Sequence, residues 1–168
     1  MRVVEIKGSD IKNWLNESVG SYSVSAVVDG HLVPIPYQFD EYDINGLVYF
    51  EESETEIDGR VNLVDEADRM LFMFADGGPR KLDAMRAGGR IIAEVEYLSA
   101  KGQKYYVYVV KNSRLKSEDV YVRYAAALGR VETDAYTLTM SKKNALNWKT
   151  FSYFDFTGEQ ESPIDTMK

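Results

Sequence analysis

The side chains of this chain whose types and spacing could do chemistry are carboxylates. One stretch reads Pro36-Tyr-Gln-Phe-Asp-Glu-Tyr-Asp-Ile-Asn-Gly46, and a second reads Asp65-Glu-Ala-Asp-Arg-Met-Leu-Phe-Met-Phe-Ala-Asp76. The spacing Glu41-x-Asp43-x-Asn45-Gly46-x5-Glu52 puts oxygen donors at positions 1, 3, 5 and 12 of a calcium-type loop, with glycine at position 6 for the sharp turn. With Asp40 beside them, the candidate metal set is Asp40, Glu41, Asp43, Asn45 and Glu52, and calcium is the hard cation that such oxygens take. Position 1 is Glu rather than Asp and the flanks are strand-like, so this is not an EF-hand. The same residues also read as a β-turn, because Asn45 and Gly46 accept positive φ and an Asp43 carboxylate bonds to the amides that follow it. Both readings stay open from sequence.

A second acidic cluster, Asp65, Glu66, Asp68 and Asp76, brackets the apolar run Met70-Leu-Phe-Met-Phe-Ala75. It reads either as a solvated approach to a buried strand or as the other half of one site with the first cluster. Carboxylate pairs carry glycoside hydrolysis when one acid is raised and the other ionised, yet no pair here has a distinguishing context. There is no Gly-x-Ser-x-Gly elbow, and the single histidine, His31, directly follows a turn glycine. Dinucleotide, P-loop and His-Glu-x-x-His patterns are absent. Cysteine is absent too, which excludes disulfides, thiolate metal sites and a cysteine nucleophile. Among the aromatics, Tyr106, Tyr108 and Trp148 are candidate stacking surfaces for sugar rings, with packing in core and rim as the rival reading.

The elements that must position these groups are strands. Ser21–Val28 alternates Tyr22, Val24, Ala26 and Val28 with serines, which predicts a half-buried strand. Asp29-Gly30 then turns into His31–Phe39, where Pro34 and Pro36 either place the strand at a sheet edge or interrupt it. Runs at 47–50, 70–75, 90–98, 104–111, 131–140 and 148–156 repeat the pattern, and 90–98 with 104–111 is the clearest hairpin. Short helices are expected over Ile11–Asn16 and, between Pro79 and Gly88-Gly89, over 80–87. The fold class is therefore all-β, an antiparallel β-sandwich with one or two short peripheral helices. The chain's 168 residues and 45% hydrophobic content suit one domain over 1–157, with 158–168 a flexible tail or cut linker.

Twenty Lys and Arg face 27 Asp and Glu, a net charge of −7 with no basic run longer than two residues. That balance repels phosphate backbones and excludes nucleic acid as a partner, leaving cations and neutral polymers open. No apolar stretch reaches eighteen residues, so no membrane insertion is expected, and Met1–Lys7 is too short and too charged for a signal peptide.

Pro34-Ile-Pro-Tyr-Gln-Phe-Asp-Glu-Tyr-Asp-Ile-Asn-Gly46 followed by Asp65–Gly77 resembles a module of exported, β-rich prokaryotic proteins of unknown function. Its pattern is Pro-x-Gln-x-Asp-Glu-x-Asp-x-x-Gly, then Asp-Glu-x-x-Phe-Met-x-x-Asp-x-Gly, and similar phrases occur in domains attached to polysaccharide-degrading enzymes. The likeness extends more weakly through Tyr105–Tyr108, Tyr121–Tyr124 and Val131–Tyr136. This chain departs from it at Arg69-Met70, and at Asn45 where Asp is commoner. The resemblance implies an extracytoplasmic sandwich, part of something longer, with a carbohydrate or cell-surface polymer as partner; it implies no activity. Residues and resemblance together favour a non-enzymatic binding or surface-associated module, calcium-stabilised if the acidic loop holds an ion. The alternative is a polysaccharide-active enzyme or accessory carbohydrate-binding domain, which requires two carboxylates and an aromatic ring along one groove.

Overall fold

A computed structural model describes residues 2–51, 54–82, 85–154 and 160–161. The chain falls into two compact units, Met1–Asp119 and Val120–Lys168. Except for Gln160 and Glu161, the expected tail 158–168 lies outside the described residues.

The first unit is a sandwich-like pair of antiparallel sheets. Strands β1 (Val3–Lys7), β5 (Arg69–Met73) and β4 (Gln38–Asp40) form one sheet, with β5 in the centre. The other has the order β3 (His31–Ile35), β2 (Tyr22–Val28), β7 (Lys104–Lys111), β6 (Arg90–Leu98). Side chains alternate across each strand, so Ile6, Met70 and Phe72 of the first sheet meet Val24, Ala26, Val107 and Val109 of the second. Trp14 and Tyr22, neither exposed at all, close this core edge to face with ring centroids 5.7 Å apart. The β2–β3 hairpin turns at Asp29 (φ 48°) and Gly30 (φ 77°), the two positive values that a type I′ turn needs. Pro34 does sit in an edge strand, opposite Ser25.

β2 corrects the half-buried reading. Its serines are as buried as its apolar residues, because Ser23, Ser25 and Val27 line a second core with Tyr106, Tyr108, Val110 and Ala87. Main chain from Gly78 onward covers that face. Gly78 exchanges two backbone hydrogen bonds with Tyr106, 3.1 and 2.8 Å, and the Lys81 N–H donates to Tyr108 Oη at 2.8 Å. Those bonds hold the segment against the sheet in an open course, so the helix expected over 80–87 is not formed among the described residues, which omit 83 and 84. The helix expected over 11–16 is shorter than predicted, a pair of 3-10 turns at Gly8–Asp10 and Lys12–Trp14, drawn inward by Trp14.

The second unit is one antiparallel sheet in the order β12 (Gln160–Glu161), β11 (Asn144–Phe154), β10 (Tyr136–Ser141), β9 (Arg130–Thr133), β8 (Val122–Ala125). The single strand expected over 131–140 is a hairpin instead. Thr133 Oγ1 accepts the N–H groups of Ala135 at 3.1 Å and Tyr136 at 3.0 Å, and so closes a turn without glycine or proline. Strand register sorts the faces. Val122, Tyr124, Val131, Tyr136, Leu138, Met140, Trp148, Phe151 and Tyr153 share one face, together with Thr133. Arg123, Ala125, Arg130, Glu132, Thr137, Thr139, Thr150 and Ser152 share the other, where Arg130 and Glu132 pair at 2.6 Å.

Candidate functional site

The acidic loop is a tight turn held by its own main chain. The Asp43 and Gly46 N–H groups bond to Leu47 O and Asp43 O, at 2.8 and 2.9 Å, and Tyr49 N–H reaches Glu41 O at 2.8 Å. On the other side, Ile44 N–H and Asp58 N–H bond to Glu56 O and Tyr42 O, which fixes residues 42–44 between two flanking segments. The run 47–50 is thus no regular strand; only Val48 bridges to Tyr42. Asp43, 3% exposed, sits at the centre of the turn. Its Oδ1 accepts the N–H groups of Asn45 and Leu47, both at 2.9 Å. The Leu47 amide foremost, with the Thr55 side chain and the amides of Asn45 and Gly46, holds the Asp43 carboxyl below the usual range against the opposing effect of burial.

Strand alternation separates the remaining calcium candidates. Asp40 stands opposite Arg69 in the β4–β5 ladder, and the Arg69 guanidinium lies 4.7 Å over the Tyr42 ring. Glu41 points elsewhere, accepting the Asn62 N–H. Asn45 contributes its backbone to the turn, and Glu52 lies outside the described residues. Among the described residues, no three His, Cys, Asp or Glu are grouped to hold a metal ion.

The second cluster is a turn of its own, and of its residues Asp68 feels the charge of Glu41 from the first. Asp65 N–H donates to Asp68 Oδ2 at 2.8 Å, while Asp65 Oδ1 accepts the N–H groups of Ala67 and Asp68 at 2.9 and 3.2 Å. Two glycines from distant segments clamp this turn. A Cβ on Gly8 would lie 1.6 Å from Asp65 O, and one on Gly59 would lie 2.1 Å from Asp65 Oδ2. Gly8 also accepts the Trp14 Nε1–H at 2.6 Å and donates its N–H to Asp68 O at 2.7 Å. Asp68 has no exposure, and burial raises its carboxyl to about 6, helped by the charges of Asp65 and Glu41. The Asp65 and Tyr42 amides pull the other way, although Asp68 Oδ1 makes no hydrogen bond of full geometry. A carboxyl titrating there has the proton affinity of a general acid, but no substrate atom reaches a side chain with no exposed surface. Asp68 is a structural acid. Glu66 is exposed, and Asp76 lies beyond the other end of β5, where its charge helps burial to raise the Tyr97 phenol to about 12.

The stacking candidates are also divided. Tyr106 and Tyr108, 8% and 1% exposed, fill the second core of the first unit and offer no free ring face. Tyr106 Oη donates to Glu96 Oε2 at 2.7 Å. Trp148, 54% exposed, belongs to the second unit, where its ring lies 5.9 Å from that of Phe151. Sequence reasoning passed over the apolar residues beside the acids: Ile44, Leu47 and Phe50 are 62%, 66% and 68% exposed. Their signal was their place around Asn45-Gly46, since a turn tip projects its side chains into water. In the second unit a cleft of about 350 Å³ runs between Tyr124, Gly129, Met140 and the Lys142-Lys143 pair, with an aromatic ring but no carboxylate in its wall. No family model, no curated protein and no solved structure shows significant similarity to the chain.

Proposed function

We propose that this chain is a non-enzymatic binding module whose first unit presents the acidic turn 41–50 to a cationic, cell-surface polymer such as an amino-bearing glycan. The observation that carries this reading is the exposure of Ile44, Leu47 and Phe50 on a turn whose backbone is fixed from both sides. Large apolar side chains held in water on a rigid support mark a contact surface. Their surroundings select the partner's charge: from Glu41 to Gly59 the sequence has seven carboxylates and no Lys, Arg or His. Carboxylates steer ammonium groups to the turn, and the apolar tips meet the CH faces of the sugar rings. Asp43 acts from below by keeping the turn in one conformation. The competing enzymatic reading draws no support from the cleft beside Tyr124, which lacks the acid pair.

Interferometry on immobilised chitosan and on a neutral glucan tests this. Binding to chitosan, weakened by added salt and lost in an Ile44→Ser/Leu47→Ser/Phe50→Ser variant of unchanged melting temperature, is the expected result. Equal binding by that variant, or no binding of the native chain to the cationic polymer, overturns it.

A further inference from the structure

We infer that the apolar face of the second unit is a self-association surface, on which the five-stranded sheet of one copy stacks against the same sheet of another to complete a β-sandwich. This does not depend on the function proposed for the acidic turn. Sheets with one apolar face are stable when that face is covered by a second layer. Here the face is built, and its described side chains stand uncovered. Among the side chains of the unit whose burial is described no hydrophobic one is buried, and Val122, Tyr124 and Trp148 are 55%, 61% and 54% exposed. Apart from Thr133, the polar and charged groups at the paired positions lie on the opposite face, including the Arg130–Glu132 pair, as they do on the outer face of a sandwich sheet.

Three considerations make the occupant a second copy. The register-paired positions of the apolar face carry no charged side chain, so its centre around Val131, Leu138 and Phe151 meets a two-fold copy without like charges, while the Lys142-Lys143 pair lies at its edge beside Tyr124 and Met140. Twisted antiparallel sheets stack face to face about 10 Å apart with their strands roughly aligned, a geometry that two copies of one sheet satisfy. The nine apolar side chains of each copy, several of them aromatic, would bury on the order of 1,000 Å² in total, about the area a specific interface requires.

The full chain has no cysteine, which makes placed thiols decisive. Leu138 is midway along the central strand, next to the axis of such a pair, while Thr137 points to the other face. In sedimentation equilibrium the native chain is expected to shift with concentration from 19.1 kDa toward twice that mass. Tyr124→Arg should return it to the monomer without changing its circular dichroism, and under oxidation Leu138→Cys should form a covalent dimer that Thr137→Cys does not. A chain that stays monomeric up to roughly 100 µM, a dimer indifferent to Tyr124→Arg with no cross-link at Leu138→Cys, or a Leu138→Cys thiol shielded from reagents within the monomer each overturns the inference.

Discussion

Both units are antiparallel and alternate apolar with polar side chains, yet they stand at opposite ends of burial. In the first, β2 and β7 are covered on both sides, by β1 and β5 across one core and by the chain around Ala87 across the other. In the second, β9 and β10 carry an equally regular apolar row, and none of it is buried. Alternation in sequence therefore specifies which residues share a face but not what covers that face. In the first unit the cover is supplied by chain far away in sequence; in the second no described segment supplies it.

The two tryptophans report the contrast separately, Trp14 in the first unit and Trp148 in the second. Phe72→Ala empties a site 1% exposed and is expected to cost about 3–5 kcal/mol in denaturant titrations, against under about 1 kcal/mol for Leu138→Ala measured on the monomer. Comparable costs would mean that the second sheet has a covered core after all. Gly8→Ala comes next, at about 2 kcal/mol or more, since its Cβ would meet backbone rather than a side chain that can swing away. Gly30→Ala, with open space around it but φ of 77°, should cost only about 1 kcal/mol.

Asp68 sharpens the comparison through pH. Its carboxyl is raised in the fold from 3.8 to about 6, so the folded state holds the proton more tightly than the unfolded one. The stability this lends is complete at low pH and is lost as pH rises through about 6. Asp68→Asn, which does not ionise, should therefore gain on the native chain between about pH 4 and pH 7, by at most roughly 3 kcal/mol and, with amides already around the carboxylate, nearer about 1–2 kcal/mol. A constant difference in melting temperature across that range would show that Asp68 is ionised in the fold. The Trp14 signal should follow this change, while Trp148 should not. The smallest effect is expected from calcium. Asp43 already has its amide partners, so melting in calcium and in chelator should coincide, whereas a rise of about 2.7 kcal/mol would place a cation in the acidic turn.

Much of the first unit was legible in the sequence because its signals are local. Asp29-Gly30 fixes one hairpin, the apolar runs about Gly102 fix another, and Pro34 marks the edge strand. The turn chemistry of Asp43 was equally plain, since an Asx carboxylate finds amides two and four residues on. The effect of the Glu41 charge on Asp68 was not, because it depends on β4 lying beside β5. Nor was the burial of Ser23 and Ser25: a small hydroxyl reads as solvent-facing until the segment from Gly78 is seen to cover it. The break at Thr133 was hidden for a similar reason, its turn being closed by a side-chain hydroxyl inside a run of good strand formers.

Seen as inheritance, the clamp on Asp65 is a single character written at four places. A substitution at position 8 lands on the main chain of residue 65 and one at 59 lands on the Asp65 carboxylate, and a change at Asp65 or Asp68 removes the side-chain bonds that hold this turn against both glycines. A lineage descending from this sequence can lose the clamp in one step but regain it only by several, so the four residues should travel together. A library randomised at positions 8, 59, 65 and 68 and sorted for folded protein would show that linkage, recovering glycine at 59 wherever it recovers aspartate at 65.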